Sequence, residues 1–227
     1  MIADERIVTY INSLENGNTP FLEQLEQEAK ESFVPVIRKE VQSLLKVLLY
    51  IKCPAKILEV GTAIGFSALL MSEYVSCDCH ITTIENYKKR ISIARNNIEK
   101  AGREKQITLL EGDAADILKD LKEPFDFIFM DAAKGQYIHF LPEILRLLPV
   151  GGILVSDNVL QDGDIIESRY AVERRNRTIY KRMRDYLYEL KHTDQLETTI
   201  LPIGDGVTIS TRIKEPHGKT RVISSGQ

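Results

Sequence analysis

The chain has 227 residues, 43% of them hydrophobic, and a formal net charge of −3 at pH 7. This length allows one sizeable core, and the small net charge provides no bulk attraction to nucleic acid. No apolar run approaches the roughly 18 residues of a membrane span. The first residues are charged, whereas a signal peptide needs an apolar stretch there. The cysteines form no CxxC pair. We therefore expect one cytoplasmic domain over residues 1–212, with reduced cysteines, and a polar, flexible tail over 213–227.

Residues 1–52 are predicted to form a helical extension of that domain. Apolar residues recur at helical spacing in two stripes on either side of Pro35. The stripes are Leu22, Leu25 and Ala29, then Val41, Leu44, Leu45, Leu48 and Leu49. These helices are apolar enough to predict a homodimer, although they could instead cap a pocket.

Residues 53–212 alternate between apolar runs and helical patterns. Strands are predicted over 57–60, 80–85 and 107–112, before Asp131 and before Asp157, and helices over 66–74, 87–100, 114–121 and 136–148. A long helix near 168–190 and two closing strands within 198–210 follow. This order is typical of right-handed βαβ crossovers, so we expect an α/β, Rossmann-like fold with a mostly parallel, seven-stranded sheet and helices on both faces.

A glycine turn follows the first predicted strand and opens a helix. Gly61 and Gly65 would let a ligand approach the backbone closely, but Ala63 replaces the second glycine of the GxGxxG pattern of dinucleotide binders. Glu85 ends the second strand, where an acid can bind ribose hydroxyls or simply cap a helix, and Asp113 follows the third. Their order favours a nucleoside cofactor without a pyrophosphate, such as S-adenosylmethionine, over a nicotinamide dinucleotide.

Three oxygen-bearing side chains follow two further predicted strands. Asp131 ends one run, and Asp157 and Asn158 end the next. Each could be only a turn residue or helix cap, but turn geometry does not require both strands to end in an acid. Because ligands bind at the carboxyl ends of such strands, this pattern predicts one shared site for a hard cation such as Mg²⁺ or Ca²⁺.

Six motifs within residues 34–210 resemble those of the metal-dependent O-methyltransferases. They are EVGTAIGFSAL, TTIE, EGDA, FIFMDAAKGQY, GGILVSDNVL and LPIGDGVTIS. This family includes the catechol and caffeoyl-coenzyme A O-methyltransferases, and the resemblance implies the class I methyltransferase fold. It also implies that Lys134 is the catalytic base and that Asp131, Asp157 and Asn158 hold the metal. The implied cofactor-binding residues are Ile37, Glu59, Gly61, Ser67, Glu85, Gly112, Asp113, Ala114 and Asp131.

The chemistry of such a site follows from its ligands. Three protein ligands leave about three positions of a six-coordinate Mg²⁺ free, enough for two adjacent substrate oxygens and one water. Coordination would favour ionisation of a substrate hydroxyl, whose proton Lys134 could accept or relay. The alternative for Lys134 is an ordinary solvated lysine on the surface.

A cation-rich segment lies between Arg169 and Arg184. It contains Arg169, Arg174, Arg175, Arg177, Lys181, Arg182 and Arg184 against one acid, Glu173. The segment therefore carries a formal charge of +6, and the rest of the chain −9. On a helix, Ile179, Met183, Leu187 and Leu190 would form the buried face. The exposed cations suit a polyanion such as RNA, or they pair with acids elsewhere, including those of a dimer partner.

This segment resembles that of bacterial enzymes that methylate 5-hydroxyuridine at the tRNA wobble position to 5-methoxyuridine. The 5-hydroxyl and 4-carbonyl of that base form a vicinal oxygen pair, as catechol does, and anticodon-loop bases can be splayed into a pocket. Two alternatives stay open: an O-methyltransferase acting on a small catechol-like or acyl-coenzyme A phenolic substrate, and a nonenzymatic RNA-binding protein.

Overall fold

The structure, a computed structural model, describes residues 4–168 and 170–215. Its helices are α1 (Glu5–Ser13), α2 (Pro20–Glu31), α3 (Lys39–Lys52), α4 (Phe66–Glu73), α5 (Lys88–Lys100), α6 (Ala114–Asp120), α7 (Tyr137–Leu147) and α8 (Arg177–His192). Its strands are β1 (Lys56–Val60), β2 (His80–Glu85), β3 (Ile107–Glu111), β4 (Phe127–Met130), β5 (Ile153–Ser156), β6 (Leu196–Leu201) and β7 (Val207–Arg212). Within the part of the chain so described, no helix is both long and apolar enough to cross a lipid bilayer.

All seven strands form one sheet in the order β3-β2-β1-β4-β5-β7-β6. The first five are parallel, and β7 runs antiparallel between β5 and β6. The predicted Rossmann-like architecture is confirmed. After β1 the chain forms β2 and β3 on one side of β1, and it later forms β4 on the other side. This reversal of strand order opens a crevice at the carboxyl ends of β1 and β4, where such sheets bind ligands.

The central strands are covered by helices on both faces. Residues 127–130 of β4 are fully buried, which explains why this strand is a continuous apolar run without alternation. On one face the core includes the buried stripes of α2 and α3, represented by Leu22, Leu25, Val41, Leu45 and Leu49. The N-terminal helices therefore pack as the sequence predicted, and they lie against α4.

Other apolar side chains of the N-terminal helices point to solvent. On α1 and at its end these are Ile7, Tyr10, Ile11 and Leu14, and on α3 they are Val47, Tyr50 and Ile51. Single exposed apolar residues are ordinary on a protein surface. The expected homodimer stays a prediction.

The predicted helix near 168–190 is wrong at its start and on its buried face. Two 3₁₀ turns, Gln161–Ile166 and Arg174–Asn176, precede α8, which begins only at Arg177. Its buried residues include Tyr180 and Tyr186, whereas Ile179 is 37% exposed. Both tyrosines are buried because their hydroxyl groups find partners inside the protein, which hydrophobic periodicity alone does not reveal.

Candidate functional site

A cavity of about 820 Å³ opens at the carboxyl ends of the parallel strands. Its walls come from the loops after β1 to β5 and from residues 35–38, which precede α3. Its volume is typical of small-molecule and cofactor sites. The predicted site residues that line it are Ile37, Gly61, Glu85, Gly112, Asp113, Ala114, Asp131, Asp157 and Asn158.

The glycine turn after β1 lies directly against the loop that carries Asp131. A Cβ atom at Gly61 would be 2.1 Å from the carbonyl oxygen of Asp131, and the φ angle of Gly61 is +105°. Only glycine fits this position. Ala63 also has a positive φ of 48°, and its N–H donates to the carboxylate of Glu85 at 2.8 Å. The residue that breaks the dinucleotide pattern thus ties the first loop to the second.

Glu85 lines the cavity and also binds three backbone N–H groups of the loops after β1 and β2. Its carboxylate accepts hydrogen bonds from the N–H groups of Ala63, Asn86 and Tyr87 at 2.8, 3.0 and 2.9 Å. Since an ionised carboxylate has about four acceptor positions, roughly one remains for a ligand hydroxyl. Asp113 is similar: it caps α6 by accepting from the N–H of Ala115 at 2.8 Å and borders the cavity.

Glu59 and Ser67 do not line the cavity. Glu59 is fully buried in β1, and it accepts a hydrogen bond from the hydroxyl group of Thr83. Burial raises the pKa of Glu59 to about 7. The hydroxyl of Thr83 also shares a hydrogen bond with that of Thr62 in the glycine turn, so Glu59 is connected to that loop.

Asp131, Asp157 and Asn158 come together at the ends of β4 and β5. The N–H of Asp157 donates to the carbonyl of Met130, and the N–H of Asp131 donates to the carbonyl of Val60, both at 3.0 Å. Asn158 has a left-handed φ of 58°, a conformation that costs free energy in residues other than glycine and often marks functional sites. The three residues thus line one cavity, and their role as cation ligands stays a prediction.

The two carboxylates are poorly solvated. Burial raises the pKa of Asp131 to about 6 and that of Asp157 to about 7, and the negative charge of Asp131 raises the latter further. A cation between them would offset this penalty, and two carboxylates with one amide are the hard oxygen donors that Mg²⁺ and Ca²⁺ prefer. The residues fit such an ion. Over residues 4–168 and 170–215 no cluster of three or more His, Cys, Asp and Glu could hold a metal, so a site here depends on the amide oxygen of Asn158.

Lys134 lies in a 3₁₀ turn over Lys134–Gln136 and forms an ion pair that the sequence did not predict. Its Nζ is 2.9 Å from Oδ2 of Asp205, whose side chain is only 4% exposed. Asp205 lies in the turn between β6 and β7, and a Cβ atom at Gly206 would be 2.3 Å from Leu160, so this turn packs closely on the chain after β5. In the sequence, Asp205 lies between Gly204 and Gly206, and this pattern was the available signal for a functional role.

Sequence reasoning missed several further residues that line the cavity. Six of them are Val36, Arg38, Tyr87, Arg90, Gln136 and Phe140. Four of them lie within one to three helical turns after a predicted strand end, which is a signal that could have found them. Val36 and Arg38 offered none, because only the packing of the N-terminal segment over the sheet edge brings them here.

The cation-rich segment combines tethers and exposed charges. Arg177 donates to the carbonyl of Val172 at 3.1 Å, and Arg184 donates to that of Ile165 at 3.0 Å, so α8 holds the chain that follows Asn158. Arg182 donates to the carbonyl of Gly135 at 3.2 Å, next to Lys134. Of these three arginines, it is Arg182 that contacts the loop between Ala133 and Gln136, two residues that line the cavity.

The other cations of the segment are exposed. Arg175 pairs with Glu173 and Lys181 with Asp185, both at 2.7 Å, and Arg174 is exposed. Arg169 lies outside the described residues. Hydrogen bonds to carbonyl groups leave a guanidinium charged, so the surface of α8 near the cavity remains positive.

Comparisons with known proteins agree with this geometry. The sequence pattern of the O-methyltransferase family matches residues 12–213. Catechol O-methyltransferase of Niastella koreensis is 33% identical over 169 residues, covering 72% of this chain and 70% of that protein. Caffeoyl-CoA O-methyltransferase 2 of Populus trichocarpa is 31% identical over 180 residues, covering 75% and 72%. The SAH-bound crystal structure of the Podospora anserina methyltransferase PaMTH1 matches with a TM-score of 0.83 and 26% identity, covering 92% of this chain and 95% of that one.

Proposed function

This chain belongs to the O-methyltransferase family, in the catechol and caffeoyl-CoA class, and from that premise we propose that it methylates 5-hydroxyuridine at the wobble position of tRNA. It is an S-adenosylmethionine-dependent O-methyltransferase. One observation supports the choice of an RNA substrate: Arg182 of the cation-rich segment donates to the carbonyl of Gly135, between the cavity-lining residues Ala133 and Gln136. Exposed cations on a segment that contacts this loop suit a phosphate backbone.

The chain's own residues would orient both reactants. S-adenosylmethionine supplies an electrophilic methyl group when bound, and a divalent cation supplies positive charge that favours ionisation of a substrate hydroxyl. Glu85 and Asp113, which line the cavity, would bind the nucleoside part of the cofactor, and Gly61 would allow that part to approach the backbone closely. Holding the oxygen and the methyl carbon in contact is worth up to roughly 7 to 11 kcal/mol in favourable cases.

Asp131, Asp157 and Asn158 would hold the cation. Their three side chains line one wall of the cavity, and the remaining coordination positions would face the open space in front of them. The 5-hydroxyl and 4-carbonyl oxygens of 5-hydroxyuridine fit two adjacent positions. A single phenol without a neighbouring oxygen would not.

Lys134 and Asp205 would move the proton. Nζ of Lys134 passes one proton to Oδ2 of Asp205, 2.9 Å away, and then accepts the proton of the substrate hydroxyl. The substrate oxyanion attacks the methyl carbon, forming the O–CH₃ bond as the CH₃–S bond breaks. Lys134 ends as an ammonium ion, the methylated product is neutral, and Asp205 returns to its carboxylate by releasing the proton to solvent.

The test incubates the protein with labelled S-adenosylmethionine, Mg²⁺ and tRNA that lacks the methyl group, then digests the RNA and identifies the labelled nucleoside. We expect label in 5-methoxyuridine. The double variant Arg174→Glu/Arg175→Glu should raise KM for tRNA about tenfold or more, because phosphate contacts set affinity. The control Lys100→Glu/Lys105→Glu changes the net charge equally at the opposite sheet edge and should leave KM unchanged.

A second candidate is methylation of a small catechol-like or acyl-coenzyme A phenolic substrate. The catechol and caffeoyl-CoA O-methyltransferases similar to this chain favour it, since their names specify catechol and caffeoyl-CoA. The same assay with catechol in place of tRNA separates the two candidates. Label in catechol with none in tRNA, or equal KM effects of the two double variants, would contradict the RNA proposal.

A further inference from the structure

Tyr137 is a buried residue that the reaction outlined above does not use. It is the first residue of α7, six positions after Asp131 and three after Lys134, and its side chain is fully buried. The chain thus leaves the sheet at Asp131, reaches the surface at Lys134 and returns to the core at Tyr137. Its ring lies behind the wall of the cavity that carries the acids.

The phenolic oxygen of Tyr137 contacts the backbone just before Asp131 and at Asp157. It lies 3.1 Å from the carbonyl oxygen of Met130 and 3.0 Å from that of Asp157. One side chain therefore joins the end of β4 to the end of β5. These two ends hold the proposed cation ligands.

The hydroxyl has one proton for two carbonyl groups. Both carbonyl oxygens can only accept, so the hydroxyl of Tyr137 is the donor in these contacts. Removal of the Tyr137 hydroxyl would leave buried backbone carbonyl groups without this hydrogen-bond donor. The strand ends would then lose the bridge that holds them together.

Tyr186 provides an internal comparison. Its ring packs edge-on against that of Tyr137 with centroids 5.5 Å apart, and it is also fully buried. Its hydroxyl, however, bonds to the hydroxyl of Ser156 at 2.7 Å and not to the backbone of a ligand residue. The two phenols share their surroundings and differ in what they touch.

We propose that Tyr137 is a positioning residue of the cation site, whose hydroxyl sets the separation of the Asp131 and Asp157 strand ends and thereby the affinity for a divalent cation. The inference rests on the proposed function, because it assumes that a cation binds there. Tyr137 makes no contact with substrate in this role. It acts through the backbone of the residues that do bind.

The experiment compares Tyr137→Phe with Tyr186→Phe, using Mn²⁺ binding followed by electron paramagnetic resonance in the absence of substrate. We expect Tyr137→Phe to bind Mn²⁺ about 10- to 100-fold more weakly, the range typical of residues that orient metal ligands. Tyr186→Phe, a loss of the same group from the same cluster, should change the affinity less than about twofold. S-adenosylhomocysteine affinity, measured by calorimetry, should stay within about twofold of wild type in both variants.

Unchanged Mn²⁺ affinity in Tyr137→Phe, or equal weakening in both variants, would overturn the inference while leaving the cation site intact. Wild-type protein that binds no Mn²⁺ would contradict the cation site itself, which is a distinct result. Should Tyr137→Phe not fold, 3-fluorotyrosine placed at position 137 keeps the hydroxyl and reports by ¹⁹F resonance. Saturating Mg²⁺ should shift that signal and not the signal of 3-fluorotyrosine at position 186, and no shift at position 137 would refute the role.

Discussion

Lys134 and Asp205 show how the site depends on single contacts between distant parts of the chain. They are 71 positions apart, yet their charged atoms are 2.9 Å apart. Asp205 is buried, so its charge requires a partner, and Lys134 is half-buried, so it gains a fixed position from the pair. This ion pair distinguishes Lys134 from an ordinary surface lysine.

We predict that Asp205→Asn slows methyl transfer about tenfold or more without weakening the binding of S-adenosylhomocysteine. A neutral amide holds an ammonium group less firmly and accepts no proton, and Asp205 is not part of the cavity lining. Initial rates with either acceptor, tRNA or catechol, give kcat, and calorimetry gives the cofactor affinity. Asp205→Glu should recover part of the rate. An Asp205→Asn protein with wild-type kcat would exclude Asp205 from the proton path.

Among the elements, β7 and α7 are joined by one buried guanidinium. Arg212, 5% exposed at the end of β7, donates to the carbonyl groups of Leu145 and Leu148 at the end of α7. A cation at a helix C-terminus satisfies carbonyl groups that have no partner within the helix. The antiparallel strand that carries the Asp205 turn toward the cavity is thus anchored at its other end.

We predict that Arg212→Met lowers the free energy of unfolding by about 2–4 kcal/mol, because buried carbonyl groups lose their donor. Urea denaturation followed by circular dichroism measures this change. Arg95→Met, which removes an exposed arginine paired with Glu111, should cost less than about 1 kcal/mol. Arg212 lies near the start of β5, whereas the cavity lies at the carboxyl ends of the parallel strands. The affinity of Arg212→Met for S-adenosylhomocysteine should therefore be unchanged. A large loss of affinity would show that the effect of Arg212 extends to the cavity.

At the scale of the whole molecule, the fold gathers negative charge into one crevice while the cation-rich segment stands beside it. Burial raises the pKa values of Glu59 and Asp157 to about 7 and that of Asp131 to about 6. The folded protein therefore retains protons that the unfolded chain releases between about pH 4 and 7. These three carboxyl groups contribute most to the free energy of unfolding at low pH, and their contribution is lost as the pH rises through about 7.

In EDTA, we predict that the free energy of unfolding decreases between pH 5 and pH 8. This decrease should be roughly 1–3 kcal/mol larger for the wild type than for Asp157→Asn. The variant lacks one of the carboxyl groups that must lose a proton in the folded state. Mg²⁺ at pH 8 should stabilise the wild type and not the variant, because a bound cation neutralises the acids. Denaturant titrations at both pH values measure the effect, and equal slopes for the two proteins would contradict it.

Much of the fold and part of the site follow from local sequence patterns. Apolar runs and helical stripes predict the elements because burial imposes periods of two and 3.6 residues on the chain. Asp131 and Asp157 could be placed together because parallel strands share one carboxyl edge. Gly61 could be recognised because a tight turn needs a residue without a side chain.

Only the tertiary structure decided how these residues are held. The strand order β3-β2-β1-β4-β5-β7-β6 brings the Asp205 turn to Lys134, folds Val36 and Arg38 over the cavity and places the hydroxyl of Tyr137 between two strand ends. It also buries Glu59 and Ser67 inside the protein and brings Arg177 and Arg184 to backbone carbonyl groups of the chain after β5. Periodicity describes each element alone, whereas these contacts join residues far apart in sequence, and the packing of whole elements determines which of them meet.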